Sequence, residues 1–438
     1  MSNFSLTVLI EINGVMTKTG SITGTDYKDA VFAYDDSYIA DKTHRPISIS
    51  LPLSKKPFSA ESTRNYFEGL LPEGFTRKSI ADSMHSDPDD YISILRELGR
   101  ECLGAIQIVD ESIRTVEADY KKLSKKEVKA LAKEGASLAA NLVIQSHLSL
   151  TGASGKTGLY YDEKKKKWYQ PVGSAPSNFI VKQSHVRLSN IIVNEQLCLL
   201  TAKKLGIDVP KSFVVQTGKN KTEDADILFA TKRFDRVVTD DSRKVKDLPV
   251  PYRLHQEDFA QALGINSSQK YEKNGEHYLK QMFYIIRSYS ANPIEDQFKL
   301  WRITVFNFLI GNTDNHIKNY SLLYNKDLRT VRLAPCYDVV ATRVYKNDIN
   351  EMSLSINGKL NMDKVTRADF ELEAKSCGLG TKPAMKIFDE VQNGLLEALK
   401  ESAGELEGKG FAQAGDIADK IKRRGVIHHD NRNHAALS

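Results

Sequence analysis

Cysteine is scarce in this chain. Only Cys102, Cys198, Cys336 and Cys377 occur in 438 residues, too far apart for a C-x-x-C pair or a disulfide framework. They read as reduced thiols. No apolar run approaches the ~20 residues of a membrane span, and the first residues lack a signal-peptide pattern, so the expected location is the cytoplasm, with no membrane partner. No repeat or low-complexity tract is present. A complete P-loop is missing too: Gly152-Ala153-Ser154-Gly155-Lys156-Thr157 supplies half of one, but Leu150 stands where its first glycine belongs. Charge of one sign is not in large excess. The net charge of +6 is spread along the chain, which weakly favours anionic ligands and does not by itself predict nucleic-acid binding. What remains is an ordinary globular composition, 41% hydrophobic and 27% charged, long enough for two or three domains.

Residues 6–12 (LTVLIEI) and 47–51 (ISISL) predict strands by alternation and branching, whereas 63–71 and 91–98 predict helices stopped by Pro72 and Gly99. The lysine-rich stretch 124–134 reads as a helical connector with a solvated face. From His147 the texture changes. Strands are expected at 147–151 and 157–161 around the glycine-bearing loop, then a charged turn at 162–167 and a strand at 179–182 that ends on Lys182. A helix over 190–205 closes at Gly206, and strands at 213–216 and 227–231 lead into Lys232-Arg233-Phe234-Asp235. Beyond Pro251 the pattern is mostly helical. The expected class is α+β: a bilobal, kinase-like fold with a β-rich N-terminal lobe, an extra N-terminal α/β subdomain and a mostly helical C-terminal lobe. The expected divisions are 1–139, 140–253 and 254–438.

The most informative stretch is 311–320 (GNTDNHIKNY). A helix over 296–310, with Phe298, Trp301, Val305 and Phe308 on one face, supports a polar loop in which Asn319 follows Asp314 by five residues. A hairpin of 320–324 and 330–334 then returns the chain so that Asp338 can join them. Phosphoryl transfer from a magnesium nucleotide needs this set: one Asp to orient the hydroxyl, an Asn and a later Asp to hold the metal. The competing reading of the loop alone is a polar turn that hydrogen-bonds its own backbone. Lys182 has the place of a kinase's phosphate-binding lysine, and Glu195 on the next helix is its natural partner; a solvent-exposed strand-end lysine is the plain alternative. His316 and Lys318 read either as phosphate contacts or as loop-stabilising residues. The basic run 420–424 reads as a charged helix end.

These residues resemble the HipA family of bacterial serine/threonine kinases, the toxin halves of HipA–HipB toxin–antitoxin pairs. The resemblance spans nearly the whole chain: 45–53 (RPISISLPL), 67–72 (FEGLLP), 96–100 (RELGR), Gly104-Ala105, 149–156 (SLTGASGK), Lys182, Phe234-Asp235-Arg236, 256–258 (QED), the Asp314 loop and 335–338 (PCYD). It implies Asp314 as the catalytic residue and Asn319 and Asp338 as magnesium ligands. It implies nucleotide contacts from Gly152, Ala153, Ser154, Gly155, Lys156, Lys182, Lys232, Arg233, Phe234, His316, Ile317, Lys318, Asn319, Tyr337 and Asp338, with residues 232–234 at the adenine. Ser149 aligns with the serine that the family autophosphorylates. The implied cofactors are ATP and Mg2+. The implied partners are a HipB-like helix-turn-helix antitoxin, operator DNA reached mainly through it, and a protein substrate such as an aminoacyl-tRNA synthetase. The chain departs from the family at Ser154 and Gly155, where Gln and Glu are usual, and at Asn315, where Gly is common. Two rival readings are a phosphoinositide-like lipid or small-molecule kinase and a nucleotide-binding pseudokinase that serves as a corepressor scaffold.

Overall fold

A computed structural model describes residues 4–112, 117–133, 155–184, 188–345 and 350–425. The N-terminal subdomain is built on four antiparallel strands in the order β3-β2-β1-β4: β1 (Phe4–Ile12), β2 (Val15–Gly24), β3 (Val31–Tyr34) and β4 (Ile106–Val109). Alternation in β1 sends Leu6, Val8 and Ile10 into the core. Its hairpin to β2 turns on Asn13 and Gly14, both at positive φ, the pair that a two-residue hairpin of matching twist requires. The helices Ala60–Phe67 and Tyr91–Leu98 pack into the same core, close to their expected bounds.

The strand expected at 47–51 is not one. The segment is a turn closed by a single bridge between Ser48 and Leu51. Its polar groups are satisfied by side chains instead of a neighbouring strand. Ser48 Oγ and the Ile49 N–H donate to the carboxylate of Glu257 at 2.5 and 3.2 Å, and Tyr34 donates to Leu51 O at 2.7 Å. Glu257 is fully buried, accepts a third hydrogen bond from Tyr324, and has no cation beside it among the described residues. Burial pushes its carboxyl up to about 7, its hydrogen bonds opposing only in part. A folded value above the ordinary 4.5 means that the group costs stability as pH rises from the lower value through the upper. Between pH 5 and 8, Glu257→Gln should therefore gain about 1–3 kcal/mol relative to wild type. Urea unfolding of both proteins across that range tests this, and a pH-independent difference between them counts against it.

The second sheet has six antiparallel strands in the order β5-β7-β6-β8-β10-β9: β5 (Asp119–Lys122), β6 (Lys156–Asp162), β7 (Lys167–Val172), β8 (Phe179–Lys182), β9 (Ser212–Gln216) and β10 (Ile227–Lys232). The stretch read as a connector belongs to this layer. β5 pairs with β7, and the helix Lys125–Lys133 buries Leu131 and Ala132 against Trp168, Leu228 and Ala230. Lys125 and Lys126 stay exposed, as the solvated-face reading expects. Residues 119–133 thus lie in the sheet lobe, ahead of the expected division at 139. The helix Ile191–Lys204 ends at Gly206, whose φ of +73° closes the turn.

Two short ladders follow, β11 (Arg236–Val237) with β14 (Tyr252–Arg253) and β12 (Lys244–Val245) with β13 (Leu248–Pro249). The rest is mostly helical: Tyr278–Tyr289, Pro293–Leu309, Thr381–Gly408 and Gln413–Arg424 surround a core containing Trp301, Phe306 and Phe370. A three-stranded sheet, β15 (Gln256–Asp258), β16 (Ser321–Tyr324) and β17 (Val331–Leu333), and the pair β18 (Glu351–Ile356) and β19 (Lys359–Asn361) complete it. No helix among the described residues is long and apolar enough to cross a membrane.

A buried ionic seam joins the subdomain to the segment between the lobes. Glu101 takes Arg233 at 3.1 Å, Arg236 at 2.9 Å and Arg253 at 2.8 Å. Asp235 takes Arg233 at 2.7 Å and Arg236 at 3.0 Å, and Glu11 takes Arg253 at 3.3 Å. Three guanidinium groups thus face three carboxylates, so the seam is neutral overall.

Candidate active site

The helix Pro293–Leu309 is stopped by Gly311 at φ +75°, and the polar loop that follows is pinned residue by residue. Asn312 donates to Asn307 Oδ1 at 2.8 Å and accepts the Asp314 N–H. Thr313 bonds Thr342 through Oγ1, while its carbonyl accepts both Ser353 N–H and Oγ. Asp314 is thereby presented at the cleft with its residue exposed, its Oδ1 accepting the Tyr271 hydroxyl at 2.9 Å. Asn319 donates through Nδ2 to the Asp314 carbonyl at 2.9 Å, and its Oδ1 accepts no donor among the described residues.

β8 delivers Lys182 into the same cavity, where Nζ sits 2.7 Å from both Glu195 Oε1 and Asp338 Oδ1. Lys156, paired with Lys182 across β6 and β8, places its ammonium 3.8 Å from Asp338 Oδ2. Asp338 adopts φ +56°, left-handed geometry that an aspartate tolerates better than most residues. Burial works against its charge, but Lys182 and Lys156 outweigh burial and hold the carboxyl well below the usual range. For Lys182, too, burial is outweighed, here by Asp338 and Glu195, so it stays charged. Glu195 is the strained partner: burial wins over Lys182 and pushes it up to about 7.

The cavity measures about 310 Å³ and is lined by Thr231, Phe234, Tyr337 and Val340 as well as by Asp314, Asn319, Lys182 and Asp338. Phe234 and Tyr337 meet with ring centroids 5.5 Å apart. Tyr337 is fixed by Ser321 at 2.6 Å and by the Lys318 carbonyl at 3.0 Å. The Phe234 backbone N–H donates to no protein acceptor among the described residues.

Several expected contact residues line the cavity but have side chains engaged by other partners, among them Arg233 and Lys318; His316 lines it too. Arg233 borders the cavity, but its guanidinium is wholly buried in the ionic seam, where Glu101 and Asp235 engage it. The Lys232 ammonium pairs with Glu163 at 3.0 Å in an exposed position, although its residue borders the cavity. Ile317 is fully buried in the hydrophobic core and does not line the cavity. Of the two readings of Lys318, the structure favours the stabilising one: Nζ bonds Asp258 at 2.6 Å and lies 3.5 Å from Glu73. His316 is buried with Nδ1 unpartnered among the described residues, and burial lowers it to about 3, so it is neutral. Gly155 accepts the Gln183 N–H at 3.3 Å. Ser149, Gly152, Ala153 and Ser154 lie outside the described residues.

Sequence reasoning missed the residues that approach Asp314 from other elements: Tyr271, Lys270 and Glu73. Tyr271 stands 43 positions from Asp314 in a segment with no regular period, so nothing local announces it.

A sheet lobe and a helical lobe, with a lysine held between a helix glutamate and a second aspartate beside a carboxylate-bearing loop, define a kinase. Residues 148–399 match the HipA-like C-terminal domain and residues 11–109 the HipA N-terminal domain. The chain belongs to the HipA family. It is 29% identical to a putative kinase, Y4mE, of Sinorhizobium fredii over 87% of this chain and 88% of that one. To the serine/threonine-protein kinase toxin HipA of Shewanella oneidensis it is 24% identical, over 76% of this chain and 75% of that one. The fold is also similar to a chain in the complex of the Shewanella oneidensis MR-1 toxin–antitoxin proteins HipA and HipB with operator DNA. There the TM-score is 0.75 at 19% identity, covering 95% of this chain and 96% of that one.

Proposed function

We propose that this chain is an ATP- and magnesium-dependent protein serine/threonine kinase that acts as the toxin of a HipA–HipB-type pair. The observation that carries this reading is the Lys182 ammonium, held 2.7 Å from Glu195 and from Asp338 in the cavity that also presents Asp314. In the proposed division of labour, Lys182 keeps Glu195 as its anchor and offers its charge to the nucleotide phosphates. Phe234 and Tyr337 wall the adenine, and the unengaged Phe234 N–H is available to a ring nitrogen. The glycine-bearing stretch that ends at Lys156 is the proposed phosphate-binding loop.

Asn319 and Asp338 fit a magnesium ion: both are hard oxygen donors, Asn319 Oδ1 takes no hydrogen bond from the described residues, and two protein ligands suit an ion that draws its others from phosphate and water. An ion held by Asn319 and Asp338 would supply positive charge against the charge that develops on the transferring phosphate. Asp314 orients the acceptor hydroxyl and receives its proton. The chain's contribution is therefore positioning and electrostatics.

The proposed acceptor is a serine or threonine of a protein in translation, such as an aminoacyl-tRNA synthetase. A HipB-like helix-turn-helix antitoxin restrains the kinase and carries most of the operator contact; the relative seen with HipB and operator DNA supports this partner. Ser149 is the proposed autophosphorylation site, where about two added negative charges beside the phosphate-binding loop would repel ATP. Mass spectrometry of the purified protein tests that assignment, and phosphate found only elsewhere counts against it.

The function is tested by incubating the protein with labelled ATP, magnesium and cell lysate, with EDTA and Asp314→Asn as controls. Acid-stable label on serine or threonine is expected, abolished by EDTA and reduced about 10²- to 10³-fold by Asp314→Asn. No labelling, or equal labelling by the variant, overturns the reading.

A further inference from the structure

Asp314 has a neighbour to which the kinase mechanism assigns no task. Tyr271 is 47% exposed, yet its hydroxyl donates to Asp314 Oδ1 at 2.9 Å. A phenol that open to solvent has little reason to be fixed, but this one is held from several sides. Its ring meets the edge of His316 at 5.3 Å and 83°. The Lys270 ammonium lies 5.2 Å from the ring centroid and itself donates to Glu73 Oε2 at 2.6 Å. The next residue, Glu272, is buried; its N–H donates to Ser353 O at 2.9 Å, and its carboxylate accepts Ser355 N–H at 2.9 Å and Ser355 Oγ at 2.5 Å. Ser353 then donates twice to the carbonyl of Thr313, at 3.1 and 2.7 Å. Tyr271 and Asp314 are thus mounted on the same strand, β18, from opposite ends of their hydrogen bond.

The geometry leaves one Asp314 oxygen committed and one free. Oδ1 holds the phenol, while Oδ2 accepts no donor from the described residues. We propose that Tyr271 is a positioning residue of the phosphoryl-acceptor site: it fixes the Asp314 carboxylate through Oδ1 so that Oδ2 meets the acceptor hydroxyl, and its ring, with His316, walls the approach of that hydroxyl. The proposal rests on the kinase reading above. In the transfer step, the acceptor oxygen bonds the γ-phosphorus as the bond to the β,γ-bridging oxygen breaks. ADP leaves, and the hydroxyl proton passes to Oδ2 and then to solvent. A carboxylate free to rotate would present Oδ2 correctly only part of the time, and the cost of that freedom falls on the chemical step.

The wall also selects the acceptor. An approach bounded by a fixed tyrosine and a buried histidine admits a flexible side chain bearing a primary or secondary alcohol more readily than a rigid phenol, so serine and threonine are favoured over tyrosine.

The test compares wild type, Tyr271→Phe, Tyr271→Ala and Asp314→Asn on peptide mixtures carrying a single serine or a single tyrosine. Tyr271→Phe should lower kcat on the serine mixture roughly tenfold, the loss of about one hydrogen bond's worth of orientation. Its KM for ATP should stay within about twofold of wild type, a split that a loosened fold would not produce. Tyr271→Ala should lose more of kcat and raise the rate on the tyrosine mixture relative to serine. Unchanged kcat in Tyr271→Phe, increased kcat, or a KM for ATP that rises in parallel with the loss overturns the proposal. If Asp314→Asn is as active as wild type, the kinase reading itself falls, which separates the two failures.

Discussion

Asp338→Asn should lower phosphoryl transfer by at least about 10³-fold, more than any other single change in the cleft. Asp338 holds two roles at once. It is the proposed carboxylate ligand of magnesium, and it is the anion that neutralises Lys182 at 2.7 Å and faces Lys156 at 3.8 Å. Asparagine keeps the shape, but it removes the negative charge that lets two buried ammonium groups share the site. Lys182 would then rest on Glu195 alone, whose own carboxyl burial has already pushed up to about 7. Magnesium titrations of labelling rate should show a raised metal requirement in the variant, with the rate remaining low at saturation. A variant that recovers full rate at high magnesium would show that Asp338 serves only metal affinity.

Glu101→Ala is expected to be the most destabilising substitution, costing about 3–5 kcal/mol, because it leaves buried charge unpaired. Glu101 is wholly inaccessible and contacts all three arginines of the seam. Its removal leaves Arg233, Arg236 and Arg253 with only Asp235 and Glu11, a net positive charge in a site without solvent. Set against a typical stability of about 5–15 kcal/mol, that loss is a large fraction of the whole. The readout is the urea midpoint beside the yield of soluble protein. A loss below about 1 kcal/mol would mean that water enters the seam, and would falsify this account of it. Replacing all the charges with apolar groups of similar volume is a different experiment and need not destabilise.

The residues that share the cavity were legible as a candidate set because their signals are local. Asp314 and Asn319 share one loop, the hairpin that returns Asp338 has turn residues at its tip, and Lys182 ends a strand just before a helix. Glu195 carried no motif, yet the order strand, lysine, helix was enough to pair it with Lys182. Errors arose where a side chain's direction depends on distant residues. The alternation at 47–51 is that of a strand, but its backbone partners are Glu257 and Tyr34, which no period reveals. Arg233 lies in the expected connecting segment, but its guanidinium is committed to Glu101 and Asp235. Lys318 sits in the catalytic loop and is claimed by Asp258 and Glu73. The stretch 124–134 looked like a link because its polar face is all that composition reports. Its thin apolar stripe, Leu131 and Ala132, is what seats it on the sheet.

The neutral seam also sets the mechanics of the molecule. In a two-lobed enzyme the segment between lobes serves as the pivot for opening and closing, and here residues 233–236 are clamped from outside by Glu101 and by the carbonyls of Cys102 and Gly104. The N-terminal subdomain is a splint across that joint. Any swing of one lobe against the other must either tear charge-assisted bonds in a dry interior or bend somewhere else, so the cleft is held near one aperture. A fragment trimmed to the two lobes would lose the splint together with Glu101 and Glu11, leaving its three arginines with Asp235 alone.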